Sequence, residues 1–254
     1  MTVLFDFTGK VAFVTGAGTG IGRAAALGFA GAGARVAVVG RSDGNIQETV
    51  SLIETAGGHA IAIRADVAKE GEVKAAVEKT IEAFGGIDFA LNNAGVEHAP
   101  TPAAEISGDL WQQQILVNLG GVFHALKYEI SAMLKRGGGS IVSIASGAGV
   151  KGFPGQAAYC AAKFGIVGLT KAAALDYAAK GIRLNVISPG MIATPMMDRF
   201  TGGTEEGRQG AIASEPVGRA GLPEEIAGTV LWLCSDFAAF TTGSNVVVDG
   251  GQTT

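Results

Sequence analysis

Cysteine is scarce in this chain of 254 residues, which contains only Cys160 and Cys234. Two thiols cannot form the disulfide framework of a small secreted protein. Both lie in segments whose spacing predicts helices, and we interpret them as reduced thiols of a cytoplasmic protein. The three histidines share no metal-ligand spacing with a cysteine or with a cluster of carboxylates. We therefore predict no catalytic metal.

An excess of charge of one sign is also missing. The chain has 19 Lys and Arg against 23 Asp and Glu, with a net charge of −4 and no block of like charges. This balance argues against nucleic acid or an anionic membrane as a partner. The N-terminus has no basic region, and no uninterrupted apolar stretch reaches ~18 residues, so we predict neither a signal peptide nor a membrane span.

Glycine and aliphatic residues, in contrast, are abundant. The 40 glycines follow no Gly-X-Y period, which excludes collagen, and hydrophobic residues make up 48% of the chain. Apolar runs rich in Val and Ile alternate with longer helical patterns such as residues 69–84, which is typical of a parallel sheet covered by helices on both faces. The runs that predict strands are residues 11–15, 35–39, 60–64, 88–91, 140–144, 183–188 and 245–248.

No repeat or linker divides the chain, so we predict one domain over residues 1–254. Residues 190–216 interrupt the alternation, since they are weakly periodic and rich in Met, Gly and Thr. A connection of this length in a compact domain is usually functional. We predict that it is a lid over the substrate.

A glycine-rich turn follows the first predicted strand and precedes a helical pattern over residues 23–32. Glycines at this point let the backbone approach a pyrophosphate, while the start of the helix offers free N–H groups. Such a turn alone is weak evidence, but its position predicts that it binds a dinucleotide. The binding residues predicted here are Gly16, Thr19, Gly20, Ile21 and Gly22.

The spacing Gly16-x-x-x-Gly20-x-Gly22 resembles the first turn of the short-chain dehydrogenase/reductase family. Further motifs of that family follow in order over essentially the whole chain, at Asp66-Val67, Asn92-Asn93-Ala94-Gly95, Asn118, Ser146, Tyr159-x-x-x-Lys163 and Pro189-Gly190-x-x-x-Thr194. The resemblance implies a single doubly wound, Rossmann-like α/β domain with seven parallel strands in the order 3-2-1-4-5-6-7.

The resemblance also implies which other residues contact the dinucleotide. Asp66 and Val67 would lie at the adenine, and Thr194 and the backbone at Ile192 would hold the carboxamide. The remaining cofactor-binding residues implied by the motifs are Asn93, Ala94, Gly95, Tyr159, Lys163, Pro189 and Gly190.

The end of the second strand bears on which dinucleotide is bound. An acidic residue roughly 20 positions after the glycines would accept the ribose hydroxyls of NAD. This chain has Gly40 at the position where NAD-preferring relatives have Asp. Arg41 would form charge-assisted hydrogen bonds with a 2′-phosphate, aided by Ser42 and Thr19. The alternative interpretation is that Arg41 is a solvated turn residue. We favour NADP(H) over NAD(H).

Hydride transfer to a carbonyl needs a proton donor, and the resemblance assigns that role to Tyr159. A phenol has a pKa near ~10. Lys163 follows four residues later on the same helix face, and with the oxidised nicotinamide it would lower the pKa of Tyr159. Ser146 would donate to the substrate oxygen. Asn118 resembles the family residue that anchors a water of the proton relay.

The predicted substrate pocket is mainly apolar. Its wall residues are Val150, Phe153, Met191, Met196, Met197 and Phe200, with Gln156 and Glu97 as polar contacts, although several of these residues would equally cover the core. No arginine lies among these positions. We therefore expect a neutral, largely hydrophobic ketone or the matching secondary alcohol as substrate.

Other functions and the assembly remain open at this point. An NAD-dependent alcohol or sugar dehydrogenase fits the same motifs. A non-catalytic dinucleotide-binding regulator would be expected to have lost Tyr159, Lys163 or Ser146, and an epimerase or dehydratase of this fold is usually longer. Small residues on the Tyr159 helix, together with the resemblance, predict a homotetramer, since relatives commonly pair through this helix and the long helix that precedes it.

Overall fold

Seven strands form one parallel sheet in the computed structural model, which describes residues 5–213 and 215–254. Their order is β3-β2-β1-β4-β5-β6-β7, and every neighbouring pair is parallel, which confirms the predicted fold. The strands are β1 (Val11–Thr15), β2 (Arg35–Gly40), β3 (His59–Arg64), β4 (Phe89–Asn92), β5 (Gly139–Ile144), β6 (Ile182–Pro189) and β7 (Asn245–Val248).

The predicted strand boundaries are each within one residue of those in the structure. Burial explains this agreement, because every residue of β1 and β4 is buried. A strand covered on both faces is a continuous apolar run, and such runs stand out in the sequence. Asp88 lies just before β4, where its carboxylate accepts from the N–H of Val11 at 2.9 Å and from Nε of Arg136 at 2.8 Å.

Nine α-helices connect and cover the strands within the described residues. They are α1 (Gly20–Gly31), α2 (Asp43–Thr55), α3 (Glu70–Phe84), α4 (Gly108–Gln114), α5 (Gly121–Arg136), α6 (Ala157–Tyr177), α7 (Pro195–Phe200), α8 (Glu205–Ile212) and α9 (Pro223–Cys234). Apolar side chains of α1, α2 and α9 form one core against the sheet, and those of α3, α5 and α6 form another on the opposite face.

One helical stretch, Ala157–Lys180, is long and apolar enough to cross a membrane by length and composition alone. It contains α6, which packs against β6 and contributes Ile166 and Ala174 to the core under the sheet. The core helix of a globular α/β fold passes the same test. The stretch therefore gives only weak evidence for a membrane span.

The segment predicted to be a weakly periodic lid contains two short helices, α7 and α8. Thr194 caps α7 by accepting from the N–H of Met197, and Thr204 caps α8 by accepting from the N–H of Gly207. Helices this short show little periodicity, which is why the sequence did not reveal them. Residue 214 of the predicted lid lies outside the described residues.

Candidate active site

A cavity of about 540 Å³ opens at the carboxyl ends of the strands, within the usual range for a ligand pocket. Most of the predicted site residues line it. They are Gly16, Thr19, Gly20, Ile21, Arg41, Ser42, Asp66, Val67, Asn93, Ala94, Gly95, Glu97, Ser146, Phe153, Gln156, Tyr159, Lys163, Pro189, Gly190, Met191, Ile192, Thr194, Met196, Met197 and Phe200.

Three predicted site residues do not line the cavity: Gly22, Asn118 and Val150. Gly22 faces the turn, where a Cβ atom would lie 2.3 Å from the carbonyl oxygen of Gly16. Its missing side chain therefore allows helix and turn to pack closely. Val150 follows a short 3-10 helix at Gly147–Gly149 and is not among the lining residues, so its place in the substrate pocket stays a prediction.

The glycine turn is held in place by side chains that follow β4. Gly16 has φ +64°, and a Cβ atom there would lie 2.7 Å from Nδ2 of Asn93. That amide donates to the carbonyl oxygens of Thr15 and Gly16 at 3.2 Å each. The hydroxyl of Thr15 in turn accepts from the N–H of Asn93 at 3.1 Å. Asn93 thus fixes the turn from the neighbouring strand.

The start of α1 meets the cavity directly. Thr19 precedes the helix without a side-chain capping bond, and Gly18, Thr19, Gly20 and Ile21 all form cavity wall. The first N–H groups of a helix have no partner inside the helix, and the helix dipole favours an anion there. The residues present therefore fit the pyrophosphate of a dinucleotide.

The edge of the cavity beside β2 has no carboxylate at position 40. A Cβ atom at Gly40 would lie 2.8 Å from Cγ2 of Ile46, so Ile46 occupies the space that a longer side chain would need. Arg41 and Ser42 follow at the cavity wall. Arg41 is exposed and forms no ion pair with any described residue. The N-terminus of α2 begins next to it, again without a side-chain cap.

Tyr159 and Lys163 share one face of α6, as their spacing predicted. Nζ of Lys163 lies 5.4 Å from the centre of the Tyr159 ring and donates to the carbonyl oxygen of Ile144 at 3.0 Å. The lysine is buried, which lowers its pKa to about 8. Ser146 follows β5 at the same cavity, and its hydroxyl accepts from the N–H of Ala148 at 3.1 Å.

The residues of the chain alone do not lower the pKa of Tyr159, contrary to the effect predicted for Lys163. Burial raises the pKa of the Tyr159 phenol to about 12, and interaction with Ser146 only partly offsets the rise. The ammonium of Lys163 lies over the ring, and burial of the phenol disfavours the tyrosinate. The chain by itself therefore keeps Tyr159 protonated at neutral pH, the form that donates a proton to a substrate oxygen.

Known proteins resemble this chain over nearly its whole length. A family model described as enoyl-(acyl carrier protein) reductase matches residues 16–253. Cyclohexanol dehydrogenase of Acinetobacter sp. (strain SE19) is 46% identical over 250 residues, which cover 97% of this chain and 96% of that protein. The chain is a short-chain dehydrogenase/reductase.

Two further relatives agree with this family. A 2,5-dichloro-2,5-cyclohexadiene-1,4-diol dehydrogenase of Sphingobium indicum is 44% identical over 250 residues, covering 98% of each chain. The crystal structure of levodione reductase superimposes with a TM-score of 0.92 at 38% identity, covering 97% of this chain and 98% of that one. The dehydrogenase/reductase described here is accordingly an NAD(P)-dependent oxidoreductase that acts on CH–OH and C=O groups.

Asn118 of this dehydrogenase/reductase lies behind the cavity, fully buried in a π-helix at Ile115–Gly120. Its Oδ1 accepts from the N–H of Val96 at 2.9 Å, and its Nδ2 donates to the carbonyl oxygen of Val96 at 3.0 Å. The same Nδ2 donates to Oε1 of Gln114 at 2.8 Å. The side chain thus fixes the loop after β4, and its role as a water anchor stays a prediction.

Gln114 was missed in the sequence, although its spacing of four residues before Asn118 could have revealed it. It is fully buried at the end of α4, and its Nε2 donates to the carbonyl oxygen of Glu97 at 3.4 Å. Two buried amides therefore hold the loop that carries Glu97.

Arg199 was also missed, since no arginine was among the predicted pocket residues. It lies in α7 at the cavity wall, where its Nε donates to Oε1 of Glu97 at 2.6 Å and its Nη2 to Oε2 at 3.3 Å. The partners are 102 residues apart in the chain, so no local pattern shows the pair.

Proposed function

We propose that this dehydrogenase/reductase transfers hydride between NADP(H) and a neutral, largely hydrophobic cyclic ketone or the matching secondary alcohol. The observation that carries the cofactor preference is the edge beside β2. There Ile46 fills the space beside Gly40, and Arg41 lines the cavity without an ionic partner among residues 5–213 and 215–254.

A 2′-phosphate suits this edge better than two free hydroxyls do. The guanidinium of Arg41 and the start of α2 both favour an anion, and Ser42 and Thr19 add hydroxyl donors at the same wall. Position 40 is glycine and so offers no carboxylate to accept ribose hydroxyls.

Three side chains of the chain would carry the chemistry. Tyr159, kept protonated by burial, would donate its proton to the substrate oxygen during reduction, and Ser146 would stabilise the developing alkoxide by a hydrogen bond. Lys163, fixed to the carbonyl oxygen of Ile144, would orient the ribose and favour the tyrosinate left after proton transfer. The bound dinucleotide supplies or accepts the hydride.

The proposed substrate class follows from the wall of the cavity. Phe153, Met191, Met196, Met197 and Phe200 present apolar surface, and methionine adapts to varied shapes. Two of the relatives are named for cyclohexanol and for a cyclohexadiene diol. A six-membered ring of this kind fits a wall of aromatic and thioether groups, so cyclohexanone and cyclohexanol are the first compounds to assay.

Arg41→Ala tests the cofactor preference. Hydrogen bonds to a charged group contribute about 1.5–3 kcal/mol, so we expect KM for NADPH to rise roughly 10- to 100-fold and KM for NADH to change far less. Steady-state rates with both dinucleotides on cyclohexanone measure this. Arg64→Ala is the matched control, since Arg64 is an exposed arginine of β3 paired with Asp43 outside the cavity wall. Equal use of NADH by the unaltered protein would instead favour the NAD-dependent alternative.

Closure of residues 190–216 over the substrate and a homotetrameric assembly belong to the same proposal. Large apolar side chains are exposed on the π-helix, α5 and α6, at Leu116, Phe123 and Phe164. They lie on the helices through which the tetramer was predicted to form. A monomeric mass in solution would contradict this assembly. The free thiols at Cys160 and Cys234 fit the predicted cytoplasmic location.

A further inference from the structure

The ion pair between Glu97 and Arg199 contributes little to the stability of the fold. The Glu97 side chain is 19% exposed and that of Arg199 61% exposed. An ion pair that is this accessible to water contributes only about 0–1 kcal/mol to stability. Its two partners come from the loop after β4 and from α7, and both form the wall of the cavity that holds Tyr159.

The pair keeps hydrogen-bonding capacity for a ligand. Arg199 uses Nε and Nη2 on Glu97, which leaves further guanidinium N–H groups, and a carboxylate accepts more hydrogen bonds than the two it receives here. The surrounding wall is apolar, with Met196 and Phe200 on the same helix as Arg199. Glu97 and Arg199 thus form a charged spot beside the apolar side chains of Met196 and Phe200.

The charge of Glu97 also reaches the reacting phenol. After burial, the carboxylate of Glu97 is among the causes that raise the pKa of Tyr159. Glu97, Arg199 and Tyr159 all line the same cavity. The loop carrying Glu97 is fixed from behind by Gln114 and Asn118, which makes the carboxylate a defined contact point.

We propose that Glu97 and Arg199 form a subsite for a second oxygen atom of the substrate, and that the preferred substrates are cyclic diones, hydroxyketones or diols. A second carbonyl oxygen would accept from Arg199, and a second hydroxyl would donate to Glu97. This proposal rests on the proposed ketone reduction and adds a substrate class to it.

The experiment compares cyclohexane-1,4-dione with cyclohexanone, both with NADPH, in the unaltered protein and in Arg199→Met. We expect the unaltered protein to have a higher kcat/KM for the dione. In Arg199→Met the ratio of kcat/KM for dione over monoketone should fall about tenfold or more, the effect of losing one hydrogen bond to a charged group. Arg208→Met is the matched control: Arg208 lies in α8, pairs with Asp198 and stands outside this cavity wall, so its ratio should equal that of the unaltered protein.

Glu97→Gln adds a second readout, because it keeps hydrogen-bonding groups but removes the charge. We expect the pH at which cyclohexanol oxidation reaches half its maximum to move downward, since the carboxylate no longer opposes the tyrosinate. An unchanged pH profile would show that the charge of Glu97 does not act on the phenol, which would contradict a subsite next to the reacting groups.

The outcomes separate the subsite from the proposed function. If Arg199→Met lowers kcat/KM for both compounds equally, or if the unaltered protein does not prefer the dione, the subsite is refuted while ketone reduction stands. If NADPH binds but neither ring compound is reduced, both proposals are overturned.

Discussion

The two sides of the cavity are built in different ways. On the dinucleotide side, Gly16 and Gly22 pack so closely that a Cβ atom on Gly22 would lie 2.3 Å from a backbone oxygen, and buried hydrogen bonds from Asn93 hold the turn. On the substrate side, Met197 is the one buried residue of α7, and α8 has no buried residue among those described. Exposed ion pairs connect α7 to the loop after β4 and to α8.

We infer from this difference that the dinucleotide side determines the type of reaction, whereas the substrate side determines which substrate is accepted. A tightly packed turn accepts one ligand shape, so it sets the cofactor class. Short helices held by exposed charges can change sequence at little cost to stability, because such ion pairs contribute about 0–1 kcal/mol. Tyr159 lies between the two sides, on α6. Substitutions on the two sides should therefore differ in their effects on NADPH binding, on turnover and on the free energy of unfolding.

Tyr159→Phe should have the largest effect, and it should leave the dinucleotide side intact. Loss of a general acid reduces kcat by about 10²- to 10⁴-fold, while NADPH should still bind because the glycine turn does not involve the phenol hydroxyl. Ketone reduction rates and fluorescence titration with NADPH measure the two effects. Turnover at an unaltered rate would show that the proton comes from another group.

Burial of Glu129 in the interior of the protein should make the free energy of unfolding depend on pH. It is fully buried on α5, accepts from Nδ2 of Asn92 at 2.9 Å, and burial raises its pKa to about 8. Between the unfolded pKa near ~4.3 and the folded value, only the folded state holds this proton. The free energy of unfolding should therefore decrease as pH rises through this window, by up to about 1.4 kcal/mol per pH unit.

Glu129→Gln should remove this pH dependence, because an amide needs no proton to stay neutral. Urea unfolding from pH 5 to pH 8 measures the difference between variant and unaltered protein, which isolates Glu129 from other titrating groups. Parallel curves for the two proteins would mean that Glu129 is ionised in the folded state.

Glycine replacements compare the two sides directly. Gly22→Ala should destabilise the protein by about 1–3 kcal/mol and weaken NADPH binding, since the new methyl group overlaps the carbonyl oxygen of Gly16. Gly210→Ala in α8 meets no atom within 4 Å and should be neutral or stabilising by about 0.4–1 kcal/mol. Thermal unfolding with and without NADPH measures both. If both variants lost the same amount of stability, the two sides of the cavity would not differ in how tightly they are packed.

The sequence predicted the strands and the dinucleotide side well for a physical reason. Buried parallel strands and a glycine turn are local patterns, and each is visible within about ten residues. The motifs around Tyr159 and Asn93 are likewise short, so their positions at one cavity followed from the order of the strands.

The substrate side could not be predicted in the same way. Arg199 meets Glu97 across 102 residues, and α7 and α8 are too short for a clear period. The pKa of Tyr159 also depends on burial, which the sequence does not give.

The central position of β1 has a consequence for synthesis of the protein. Residues up to Gly95 complete the glycine turn proposed to hold the pyrophosphate, whereas Ser146, Tyr159 and Lys163 follow only after β5 has been made. A nascent or truncated chain that ends before β5 would contain half of the cleft and no proton donor. We therefore expect oxidoreductase activity only after β5 has paired with β4 and the residues that follow β5 have folded onto the sheet.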